Sequence, residues 1–188
     1  AVTISTNTTL TQDKYYLDLT VDSGVTLNTA GYRVFVQRNL FLSGTIGMAA
    51  GPSAQGSLGI GTQDANVANS LGGASATYTA TAPTAALGGE QWYKNALNAI
   101  DGYSFDPATG TINLLKGGAG DGTNYGGGVV IVAARYLFGT GNVFAKGAVN
   151  AGGGVVILIS SDKSHSYTVS AAGTGTGSAG NTYFLEAD

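Results

Sequence analysis

The feature that most limits what this chain can fold into is a glycine-bounded segment that recurs. It runs from Gly127 to Gly147 (GGVVIVAARYLFGTGNVFAKG) and returns from Gly153 to Gly173 (GGVVILISSDKSHSYTVSAAG). A forerunner spans Gly31 to Gly51 (GYRVFVQRNLFLSGTIGMAAG). Laid over one another without a gap, the three copies place Val34 on Val130 and Val156, Phe35 on Ile131 and Ile157, and Val36 on Val132 and Leu158. A weaker copy, Thr11 to Gly31, sets Ser23-Gly24 on Ser43-Gly44. A unit of roughly twenty residues cannot bury its own apolar face and must stack on a neighbour. The repeat therefore predicts an all-β chain, a short single-stranded β-solenoid with three parts. These are N-terminal coils over 1–51, an Ala/Ser/Thr/Gly-rich insertion over 52–126, and C-terminal coils with a cap over 127–188.

Composition supports turns and strands over helices. Only 10% of the 188 residues are charged, while glycine takes 31 positions, about twice its usual share. The glycines keep no three-residue period, which excludes a collagen helix. With a net charge of −3 and no cluster of basic residues, the chain lacks the cationic stripe that a phosphate backbone requires, so nucleic acid is not an expected partner. The absence of cysteine removes disulfide scaffolds and thiol chemistry. No apolar run approaches ~18 residues, so insertion into a membrane as a helix is not expected.

Along the first coils, Leu17, Leu19 and Val21, then Val25 and Leu27, alternate with polar residues, as half-buried strands do. In the next coil Val34, Val36, Leu40 and Leu42 point inward, which leaves Phe35 outside and in need of a cover. Within the insertion, Glu90–Leu97 is the one helix candidate, and Tyr103 to Leu115 reads as one or two strands. Gly117–Gly128 reads as a turn-rich connection; it lacks the GK[ST] ending of a phosphate-binding loop. Val129–Val132 and Val155–Ile159 are apolar without alternation, the pattern of strands buried on both faces. One face is the solenoid interior. The other forms an outward stripe of Phe35, Val129, Ile131, Val155, Ile157 and Ile159, to be covered either by the insertion or by an identical chain. Tyr183-Phe184-Leu185 is apolar enough to cap the last coil.

The run VTLNTAGYRVFVQRNLFLSGTI, followed by glycine-rich GGGVVIV segments, resembles a pattern found in phage tail-fibre, tail-tip and other virion-surface proteins. The matching positions are Gly24–Thr29, Gly31–Val36 and Ser43–Ile46, then Gly126–Val132 and Gly152–Ile159. The resemblance implies a β-helical, trimeric structural or receptor-binding protein of the virion surface. It carries no catalytic signature.

Candidate chemistry is sparse. Asp18 and Asp22 are the carboxylates to weigh for glycoside cleavage, which needs two acids a few ångströms apart; the alternative is that both serve turns and solubility. Asp101, Asp106 and Asp121 each lie beside Gly or Pro and suit turns. His165, in the polar run Ser161–Ser166, reads as a solvated corner. Trp92, Tyr93, Tyr103 and Phe105 are the aromatic concentration outside the coils, suited either to gluing the insertion down or to contacting a ligand or partner. No catalytic residue, metal or cofactor is assigned. The expectation is a non-enzymatic virion surface protein, a capsid decoration protein or a tail-fibre or tail-tip adhesin. It assembles with itself as a homotrimer, with capsid or tail proteins, and with a host surface glycan or protein. The alternatives are a secreted bacterial or archaeal adhesin or filament subunit at the cell surface, and a polysaccharide-cleaving β-helix.

Overall fold

The computed structural model describes residues 1–48, 117–121, 123–161 and 165–187, together with the backbone of 103–106 and 111–114. Every regular element among them is a strand. In chain order these are β1 (Val2–Ile4), β2 (Thr8–Thr9), β3 (Lys14–Tyr16), β4 (Leu19–Val21), β5 (Thr26–Asn28), β6 (Val34–Leu42) and β7 (Thr45–Met48). Then come β8 (Tyr103–Asp106), β9 (Thr111–Leu114), β10 (Val129–Phe138), β11 (Asn142–Ala145), β12 (Val155–Ser160), β13 (Thr168–Ser170) and β14 (Asn181–Glu186). The expected helix at Glu90–Leu97 lies outside the described residues.

The strands sort into two parallel sheets. Sheet A runs β1-β4-β6-β10-β12-β14, with β3 also paired to β6, and sheet B runs β13-β11-β7-β5-β2. The chain visits them alternately: β4 then β5, β6 then β7, β10 then β11, β12 then β13. Strands β8 and β9 form a separate antiparallel pair. Sequence had suggested one or two strands here, and two are present.

One buried cluster joins the inner faces of both sheets. Sheet A contributes Leu19, Val34, Leu40, Val132 and Leu158; sheet B contributes Leu27, Ile46 and Val143, all 1% exposed or less. Alternation explains the division, because successive side chains on a strand point to opposite faces. The pattern in β6 shows it: Val34, Val36, Leu40 and Leu42 are buried, while Phe35 and Asn39 are half-buried and Phe41 is exposed. Tyr167 closes the core, its hydroxyl donating to the carbonyls of Leu40 at 2.9 Å and Phe138 at 3.0 Å. Burial holds its pKa well above the ordinary tyrosine value.

The C-terminal repeat has a constant step of 26 residues. Val129 pairs with Val155 and Val155 with Asn181 in sheet A, and Asn142 pairs with Thr168 in sheet B. The segment expected to cap the last coil, Tyr183-Phe184-Leu185, is thus itself a strand at the sheet's edge. The forerunner is offset from the ungapped alignment. Val34 pairs with Val132 rather than Val130, and Phe35 with Ala133 rather than Ile131, a slip of two residues that preserves which face each side chain takes. Beyond Ala134 the register shifts. Val36 opposes Ala134 and Asn39 opposes Tyr136, so Gln37 and Arg38 stand against Arg135 alone, a β-bulge in β6.

Glycine is required where turns of adjacent passes touch. A Cβ on Gly44 would lie 2.2 Å from the Asp22 carbonyl oxygen, and one on Gly153 would lie 1.7 Å from that of Ala171. Both distances are below any real carbon–oxygen contact, so only a residue without a side chain fits.

Candidate functional site

The two outer faces differ in chemistry. On sheet B one outward column is Thr26, Thr45, Asn142 and Thr168, in register across four strands and polar, and the next is Asn28, Gly47, Phe144 and Ser170, whose one aromatic ring lies under the Lys146 ammonium. On sheet A the outer face is aromatic. Tyr15 pairs with Phe35 and their rings stack at 4.8 Å between centroids, tilted by 9°. Farther along β6, Phe41 pairs with Phe138 of β10 and those rings stack at 5.1 Å. Among the described residues, seven large apolar side chains are exposed; Tyr15, Leu17, Phe41, Tyr136 and Phe138, five of the seven, sit on or beside this one face.

Beside the Tyr15–Phe35 pair lies a groove of about 800 Å³ that crosses β10 to Ile159 of β12. Its floor is Ala133 of β10, a small residue where the flanking strands carry Phe35 on one side and Ile159 on the other. Tyr15 and Phe35 form one wall, and Gln37, Arg135 and Tyr136 close the end at the bulge. Two causes therefore make the groove: a missing side-chain layer over β10 and a local change of register in β6. Bulges re-aim side chains next to binding sites in this way. The Arg135 carbonyl accepts the Ser161 backbone N–H at 3.2 Å and the Ser161 hydroxyl at 2.7 Å, which fixes the backbone that carries the guanidinium. That guanidinium lies 5.5 Å from the centre of the Tyr136 ring.

Asp18 anchors the bulge from β3–β4. Its carboxylate accepts from the Arg38 guanidinium, from the Asn39 side-chain amide at 2.9 Å and from the Asn39 backbone N–H. The Arg38 hydrogen bond in particular, with those from Asn39, holds its pKa below the usual aspartate value. Asp18 is only 9% exposed. It is neither the solvated turn residue that sequence suggested nor an acid poised to give up a proton, because every partner favours the charged form. Asp121 does serve a turn, accepting from the Thr123 and Asn124 backbone N–H groups and the Asn124 side chain, which lowers its pKa. Among the described residues no three His, Cys, Asp or Glu side chains gather closely enough to hold a metal ion.

The remaining sequence-derived sites divide as follows. Trp92 and Tyr93 lie outside the described residues, and Tyr103 and Phe105 fall on β8, whose side chains also lie outside them. Of the expected stripe, Val129, Ile131, Val155, Ile157 and Ile159 are at most 3% exposed within the single chain. They offer no surface to an identical chain, and only Phe35 keeps part of its surface open. The cover that Phe35 needed is Tyr15. His165 is not a solvated corner: it is half-buried, stacks on Phe184 at 4.3 Å, and its Nδ1 accepts the Tyr167 backbone N–H.

Sequence reasoning missed Tyr15, Ala133, Arg135 and Tyr136. The signal for Tyr15 was present, since the Thr11–Gly31 copy laid on Gly31–Gly51 sets Tyr15 on Phe35. No family model, curated protein or solved structure matches this chain.

Proposed function

We propose that this chain is a short β-solenoid that works as a non-enzymatic structural protein of a virion surface, decorating a capsid or forming part of a tail fibre or tail tip. It acts through self-assembly, as a homotrimer, and through surface contacts. The alternation of consecutive strands between two parallel sheets in the same order supports the solenoid reading. The sequence resemblance supports the virion setting.

The observation that carries the assembly is the exposed, stacked pair Phe41 and Phe138 on the outer face of sheet A. Large apolar side chains gathered on one face mark a contact surface, and stacked pairs on paired strands hold it rigid. The stripe first considered for this role is closed within the chain, so the contact moves to Phe41 and Phe138. A polysaccharide-cleaving function is disfavoured because Asp18 is committed to Arg38 and Asn39.

Size-exclusion chromatography with light scattering tests the assembly. The expected wild-type mass is three times the 18.7 kDa chain. Phe41→Ser with Phe138→Ser should give the single-chain mass with thermal stability changed only slightly, since a stacked pair contributes about 0.5–1.5 kcal/mol. A wild-type protein of single-chain mass at every concentration would refute self-assembly.

A further inference from the structure

We propose that the groove over Ala133 is a binding site for a saccharide unit bearing a carboxylate, with aromatic rings taking the face of the sugar and Arg135 taking the acid. This goes beyond the assembly reading and does not depend on it, because Phe41 and Phe138 do not line the groove.

Three observations select this class of ligand. The first is shape. Tyr15 on the wall is 75% exposed, whereas Ala133 is half-buried and Ile159 beyond it is 3% exposed. The groove is thus an open trough. An alkyl chain laid there would keep one side in water, while a pyranose has one apolar C–H face to bury and hydroxyl edges to leave wet. The second is the surface offered. Tyr15, Phe35 and Tyr136 supply aromatic area, and Gln37 adds an exposed amide at the rim. Tyrosine and its like combine an apolar body with a polar tip, which suits an amphiphilic ring.

The third is charge. The other two described arginines are engaged with carboxylates, Arg33 with Asp13 and Arg38 with Asp18. Arg135 makes no ion pair among the described residues, and its recorded side-chain contact is the Tyr136 ring. A guanidinium presents paired donors that match a carboxylate's two oxygens. Its backbone is fixed by Ser161, so the ordering cost left to binding is that of the exposed side chain alone. The protein carries a net charge of −3, so long-range attraction of an anion is absent and the contact must be local.

Isothermal titration of the full chain tests this with three probes: a galacturonic acid trimer, a galactose trimer and decanoate. The acidic trimer should bind measurably and the neutral one at least about tenfold more weakly, the loss expected for one hydrogen bond to a charged group. Arg135→Gln, a surface change, should bring the acidic trimer down to the neutral one's affinity. Ala133→Leu should fill the trough and remove binding of both, with circular dichroism checking the fold; Tyr15→Ala, exposed and free of that risk, should weaken both. Equal binding of the two trimers, tighter binding of decanoate, no binding of any probe, or an Arg135→Gln variant that binds the acidic trimer unchanged would each overturn the proposal. Trimer formation is read separately by light scattering, so failure of one reading leaves the other visible.

Discussion

Asp18 shows how one side chain ties sequence to architecture. The backbone of β3–β4 breaks at Leu17-Asp18, the partner strand bulges at Gln37-Arg38, and the carboxylate spans the mismatch. Its lowered pKa fixes the sign of a pH effect. The charged form is favoured by folding, so this stabilisation is present above the ordinary value of 3.8 and is lost as pH falls through the lower folded value. Asp18→Asn should therefore be less stable than wild type at pH 7. The gap should close as pH drops below 3.8. Urea midpoints measured against pH would show it, and a gap independent of pH would contradict the assignment. Tyr167 gives a second check. Tyr167→Phe removes the donor for two strand carbonyls, and a loss of about 1–3 kcal/mol is expected from leaving buried acceptors unmet, read as a lowered denaturation midpoint.

Strands were legible where the sequence repeats cleanly and misplaced where it does not. The copies at Gly127 and Gly153 share a 26-residue step, and every pair between β10 and β12 and between β11 and β13 follows it. The inward residues of β6 were also legible, because a slip of two leaves alternation intact. The Phe41–Phe138 ladder was not. Ungapped alignment sets Phe41 on Leu137, an inward residue, since the bulge adds one position that no periodicity reveals. The groove was hidden for the same reason. Ala133 becomes a gap only when its neighbours are known to be Phe35 and Ile159, and the alignment gave it Gln37 instead. On sheet B the inward column Leu27, Ile46, Val143 is a plain strand pattern, and Ile46 is fully buried in it. Ile46→Ala should cost about 2–5 kcal/mol by denaturant unfolding, the range for a cavity in a packed core. A cost under ~1 kcal/mol would mean that the two sheets do not share one core.

The described strands form two sheets, a mostly polar sheet B and a sheet A with exposed aromatic rings, with a core between them built from both. What sequence supplied at this scale was the class of fold and the need to cover outward apolar groups. It placed that need on the Ile131 and Ile157 positions, with the insertion or an identical chain as the cover; both are buried within one chain, and the rings left open were not foreseen. The groove and the assembly face both depend on the register that brings Tyr15 to Phe35, Phe41 to Phe138, and Ala133 between two larger neighbours. The chain contains no cysteine, so engineered pairs report on that register without background. Adjacent strands bring facing residues within reach of a disulfide, whereas side chains on opposite faces cannot be joined. Under mild oxidation Phe41→Cys with Phe138→Cys should cross-link within one chain, seen by mass spectrometry, and Phe41→Cys with Leu137→Cys should not. Cross-linking of the second pair and not the first would contradict the register, and with it the groove and the assembly face.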